Sequence, residues 1–138
     1  MGKNLLKELA ELLKCEKRCI FFHLKNPYTR NSIMDHLYNK VLRTTFLSDE
    51  GKPKIFYFQQ FSQLNAANLK PYENLRDMNI CEYYLKFYKI HLIYPHFPCV
   101  IDFTRNQEFY PCELLEIIDV DYIAYMNYDT MYKCELNE

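Results

Sequence analysis

A chain of 138 residues, 49% apolar and 25% charged, has the size and make-up of one globular domain. A formal charge of −1 excludes a protein that coats duplex DNA by phosphate neutralisation. The two glycines, Gly2 and Gly51, leave no glycine-rich loop to wrap backbone amides around a nucleotide phosphate, and so exclude P-loop and Rossmann chemistry.

In chain order, "NLLKELAELLKC" sets Leu5, Leu6, Leu9, Leu12 and Leu13 at helical spacing and predicts a helix over 4–15. "NPYTRN" reads as a break, and "SIMDHLYNKVL" predicts a second helix through Ile33, Met34, Leu37 and Val41. "VLRTTFL" and "KIFYFQQFS" predict strands on either side of the turn "SDEGKP". Residues 63–78 read as a loop or weak hairpin standing proud of the core. "NICEYYLKFYK" opens a helix with a capping box, Asn79 at the cap and Glu82 three residues on. "IHLIYP" and "PCVIDF" predict strands, and "RNQ" turns the chain into the strand "EFYPCELLEII". Short strands, one internal helix and a helical lead-in point to a small α+β domain on a curled sheet or barrel.

No apolar run has membrane-spanning length, and the opening segment is amphipathic rather than a secretory leader. A soluble cytoplasmic or nuclear protein without a membrane partner is expected. Gly2 raises N-myristoylation, but Leu6 stands where that motif has Ser or Thr. Six cysteines, at 15, 19, 81, 99, 112 and 134, contain no Cys-x-x-Cys and are expected as thiols. His91, His96 and Cys99 come nearest to a metal set but have no fourth ligand at a recognisable spacing. Ser32, Ser48 and Ser62 lie in no elbow-like setting. No catalytic residue, metal or cofactor is expected.

The charge is unevenly spread: residues 113–138 carry seven acids and one base, whereas the preceding 112 residues carry 16 bases and 11 acids. Between Glu82 and Asp102 lie Lys86, Lys89, His91 and His96 with no acid among them. On the same helix Tyr83 and Phe87, and Tyr84 and Tyr88, are spaced i, i+4, giving two adjacent stripes of rings. Rings beside lysines suit single-stranded nucleic acid, which stacks on aromatics and presents phosphates to cations. The plainer alternative is a core stripe beside solvated lysines.

"EYYLKFYKIHLIYPHFPCVIDFTRNQEFYPCELLEI" resembles the signature half of the PAZ domain of Argonaute proteins. There, a Tyr-Phe helix leads to a Tyr-Pro-x-x-Pro-Cys strand and then to a Leu-Pro-x-Glu strand. "YPHFPC" spans Tyr94–Cys99 and "YPCEL" spans Tyr110–Leu114. The match is specific over about residues 79–117 and fainter over 41–72.

The resemblance implies a helical lead-in (1–40), a PAZ-like domain (41–119) and an acidic C-terminal extension (120–138). The PAZ-like part would be an OB-like small β-barrel with a hairpin-helix appendage, and a cleft between them would hold the two-nucleotide 3′ end of a small guide RNA. Tyr83 and Tyr88 match pocket tyrosines whose hydroxyls reach the phosphate between the last two nucleotides. Lys54 and Phe56 match the basic and aromatic positions of the second strand, Phe56 without the hydroxyl usual there. Tyr72 would supply the appendage ring that stacks on the terminal base. Phe109 and Tyr110 stand where Argonautes have Tyr and Leu, and Arg105 would stand for the basic residue of the preceding turn. The implied partners are the 3′ end of a small RNA and other domains of an Argonaute-like protein or silencing complex. The alternatives are a PAZ-like fold used for protein interaction, and the PAZ domain of a Dicer-type ribonuclease.

Overall fold

The computed structural model describes residues 2–48, 50–71, 77–104 and 107–118. A two-residue strand β1 (Lys3–Asn4) runs directly into helix α1 (Leu5–Leu13). Asn4 caps that helix, its side chain accepting from the amides of Leu6 (2.9 Å) and Lys7 (3.3 Å), which would otherwise lack partners. α1 ends at Lys14 in the left-handed conformation, φ 53°. A 3-10 turn (Lys17–Cys19), α2 (Ile20–Leu24) and α3 (Pro27–Leu37) follow.

"NPYTRN" is therefore a helix start and not a simple break. Asn26 caps α3 by accepting from the amides of Tyr28 and Thr29, and Pro27 takes the first helical position, where its missing N–H costs nothing. Val41, assigned from periodicity to the second helix, instead begins a strand.

The remaining elements are β2 (Val41–Thr44), β3 (Ile55–Tyr57), β4 (Phe61–Asn65), α4 (Ile80–Tyr88), β5 (Pro98–Asp102), β6 (Glu108–Pro111), a 3-10 turn (Cys112–Leu114) and β7 (Leu115–Ile118). All described pairings are antiparallel. One sheet has the order β1-β7-β2-β3, the other β4-β5-β6. The α+β class is as expected, but the described strands form two open sheets rather than a closed barrel.

One core joins the layers. Leu5, Leu6 and Leu9 of α1, Ile20, Leu24, Ile33 and Leu37 of the following helices, and Leu42, Phe56, Phe58, Phe61, Val100 and Leu115 of the sheets bury their side chains together. Every residue of β5 is buried, as suits the central strand of its sheet. Across β2 and β7, Arg43 sits opposite Glu116 in register, and its Nε donates to the carboxylate at 2.8 Å.

"IHLIYP" does not form a strand. The Glu113 carboxylate accepts from the backbone amides of Ile93 and Tyr94, both at 2.9 Å, so these donors are satisfied by a side chain instead of a ladder. Two further positions have positive φ without being glycine, Asn39 (65°) and Lys89 (60°).

Candidate nucleic-acid interface

α4 begins with the capping box that its sequence announces. Asn79 accepts from the Glu82 amide (2.9 Å), and the Glu82 carboxylate accepts from the Asn79 amide (3.0 Å). The helix stops at Lys89, whose amide donates back to the carbonyl of Tyr84. Over this span Tyr84 faces inward, 3% exposed, with Tyr83 and Tyr88 half-buried beside it. The rings of Tyr84 and Tyr88 stack at 5.3 Å and 28°, while Tyr83 meets Tyr84 edge-on at 5.4 Å.

The Tyr84 hydroxyl donates to the carbonyl of Phe109 at 3.4 Å, tying the helix to β6. Burial raises this phenol well above its ordinary range, with neighbouring Tyr110 and Cys99 adding to the effect. Tyr84 is thus a neutral, anchored ring. Phe46, just beyond β2, wedges beneath the helix: its ring lies 5.3 Å from Tyr84 and 4.8 Å from Tyr88, edge-on to both.

Between α4 and the strands lies a cleft of about 160 Å³. Its helix wall is Ile80, Tyr83, Tyr84 and Tyr88, and its opposite wall is Glu108, Phe109 and Tyr110 of β6. The β2–β3 connection closes one end with Phe46, Ser48, Glu50 and Lys54, and Pro71 contributes from the segment before α4. Lys54 is held in place through its backbone, which donates to Thr44 Oγ1 (2.9 Å) and accepts from the Thr44 amide (3.0 Å). The tight β2–β3 turn rests on Gly51, at φ 77°, whose amide donates to the Ser48 carbonyl at 2.8 Å.

Of the residues singled out in the sequence, Tyr83, Tyr88, Lys54, Phe109 and Tyr110 therefore converge on one cleft although they come from three separate stretches. Phe56 does not line it. That ring is 3% exposed and stacks under Tyr110 at 5.2 Å and 29°, so it acts as floor support. Tyr72 and Arg105 lie outside the described residues, as does the acidic extension 120–138.

Sequence reasoning missed Phe46, Ser48, Glu50 and Glu108. The two glutamates matter most, because among the described residues they set two carboxylates against the Lys54 ammonium in the cleft. The acid-free stretch after Glu82 is real in sequence, but Lys86 and Lys89 are exposed and do not line this cleft. His91 and His96 are exposed and Cys99 is fully buried; among the described residues no group of His, Cys, Asp or Glu could hold a metal ion. No described helix is long and apolar enough to cross a membrane.

Chemically, the described lining of the cleft offers ring faces for stacking, phenol hydroxyls for hydrogen bonds and the Lys54 ammonium.

Two open antiparallel sheets, an N-terminal helical cover and a tyrosine-rich helix closing a cleft against the second sheet define the class: a small α+β domain with an aromatic pocket. Comparison with solved structures then makes the fold particular. The chain superposes on the PAZ domain of Drosophila Argonaute 2, in a structure described as the basis for 3′ end recognition of nucleic acids, with TM-score 0.63 and 17% identity over 86% of this chain and 96% of that one. A Drosophila Argonaute PAZ domain in complex with 3′-end 2′-O-methylated RNA matches with TM-score 0.65 and 16% identity over 86% of this chain and 100% of that one. Giardia Dicer matches more distantly, with TM-score 0.51 and 12% identity over 78% of this chain and 17% of its own. No family model matches the sequence, and no curated protein does. The chain adopts the PAZ fold.

Proposed function

We propose that this domain is a non-catalytic module that anchors the single-stranded 3′ end of a small RNA in the cleft between α4 and β6. The observation that carries this is the convergence of Tyr83, Tyr88, Phe109, Tyr110 and Lys54 on one cleft within a PAZ fold. In support, the structural neighbours are described by their recognition of nucleic-acid 3′ ends, and the rings give a sequence-tolerant stacking surface. The terminal base stacks on the aromatic walls, while the hydroxyls of Tyr83 and Tyr88 and the ammonium of Lys54 meet the last internucleotide phosphate. The natural partners are then a small RNA and the other domains of an Argonaute-like protein.

The test is titration with short single-stranded RNA carrying either a free 3′ hydroxyl or a bulky 3′ phosphate block. Tighter binding of the free end, with little dependence on base sequence, is expected. Equal affinity for the two ends removes the end-anchoring role. A second reading, protein interaction through the same fold, is favoured by Glu50 and Glu108, which oppose a phosphate. Failure to bind either RNA would select it.

A further inference from the structure

A second concavity lies on the other side of the three-stranded sheet. Its walls come from α2, the first turns of α3, the edge strand β4 and the segment leading into β5, and its volume is about 470 Å³. The cleft uses edge strand β6, whereas this groove uses Gln63 and Asn65 of β4, so the two lie at opposite edges of one sheet.

Three features make it a built site for an anion beside a ring. The first is Arg30, a partly buried guanidinium whose Nη2 donates to the carbonyls of Phe61 (3.2 Å) and Ser62 (2.8 Å). A guanidinium has five N–H donors; those on Nε and Nη1 have no acceptor among the described residues, and no described side-chain nitrogen is both buried and unpartnered. Those donors therefore reach solvent in the groove as two single donors for an anion, because both paired edges of the guanidinium share the Nη2 that the backbone holds. Secondly, Lys25 lies over the Phe21 ring at 4.3 Å, and His96 meets the same ring edge-on at 4.8 Å. Thirdly, among the described residues the groove's lining contains no acid, unlike that of the cleft.

We propose that this groove is a second contact for single-stranded nucleic acid, taking a phosphate on Arg30 and Lys25 and a base against Phe21 and His96. Cation, ring and amide side chains on one surface fit a nucleotide better than an acidic peptide, which has no use for the ring face. The inference goes beyond end anchoring and does not require it.

Lys25→Glu decides the matter, because Lys25 is exposed and its replacement leaves the core intact. Arg30→Lys keeps the charge but loses the Nε–H and Nη1–H donors and the anchor of Nη2 on the backbone. Titrations use the whole chain with single-stranded RNA of about four nucleotides, enough for the cleft alone, and of about twelve, within the span that comparable folds cover. Thermal melts run alongside. Both variants are expected to bind the longer RNA about fivefold or more weakly at low salt, and in Lys25→Glu the slope of log affinity against log salt becomes shallower by about 0.7 for each phosphate lost. Binding of the short RNA is expected to be unchanged. Unaltered affinity and slope for the longer RNA in Lys25→Glu would overturn the proposal. So would an acidic peptide that binds the wild type and not Lys25→Glu while RNA binding is retained, which assigns the groove to protein. If the short RNA fails to bind at all, end anchoring falls, and the response of the longer RNA to Lys25→Glu still decides the groove.

Discussion

At the scale of single residues, the hydroxyls and the carboxylates of the cleft make opposite predictions. Tyr88→Phe and Tyr83→Phe conserve ring volume, so the fold should persist. RNA affinity should nevertheless fall by about 1.5–3 kcal/mol if each hydroxyl donates to an ionised phosphate. RNA titration beside thermal melting checks both halves. Tyr84→Phe should leave affinity unchanged, because that hydroxyl is directed at a carbonyl and the ring is buried. Tyr84→Ala should cost about 3–5 kcal/mol of stability through its cavity. Glu50→Gln should tighten RNA binding, most visibly at low salt, since an exposed carboxylate repels a phosphate through screened water. No change in affinity at low salt would mean that Glu50 faces no phosphate. The tyrosines were legible in the sequence because ring spacing on a helix is local. Glu50 and Glu108 were not, because only the folded β2–β3 turn and edge of β6 bring them to the same place.

At the scale of elements, local rules succeeded where local groups satisfied the backbone. The capping box at Asn79 and Glu82 formed as its spacing implied, and the leucine stripe of α1 faces the core. They failed where a distant side chain intervened. "IHLIYP" alternates like a strand, yet Glu113, some twenty residues on, takes its amides. "NPYTRN" contains the residues of both a break and a helix start, and only the position of Asn26 as a cap separates the two. The short β1 and α2 were also unseen, being too brief to show a period. Because α4 presents one wall of the cleft, its cap has a measurable function. Asn79→Ala should cost about 0.5–2 kcal/mol in chemical denaturation and should weaken RNA binding in step with fraying of the first turn. A loss of stability with full affinity would show that the tyrosines are held by the core alone.

At the scale of the whole molecule, the buried thiols set an upper limit on working pH. Cys112 is fully enclosed, donates to the Pro98 carbonyl at 3.2 Å and is pushed up to about 12 by burial; Cys99 is raised by the same cause. Both ordinary thiol values lie near 9 in the unfolded chain. The folded chain thus keeps protons that the unfolded chain loses. Stability is complete below pH 9 and falls as pH rises toward 12, by about 1.4 kcal/mol per pH unit for Cys112, with Cys99 acting in the same direction. Melting temperatures between pH 7 and pH 10.5 should trace this fall, and Cys112→Ala should flatten it. A flat profile in the wild type would mean that the thiols titrate as freely in the folded chain as in the unfolded one. One feature of the backbone also bears on how the domain tolerates change. Lys14, Asn39 and Lys89 hold the left-handed conformation that glycine adopts freely, in a chain with only two glycines. Each lysine carries a penalty of about 1 kcal/mol or more there, against a usual domain stability of about 5–15 kcal/mol. The domain therefore holds an untapped reserve at its helix ends. Lys14→Gly and Lys89→Gly draw on it without touching a core side chain, giving a background robust enough to accept the more damaging cleft substitutions.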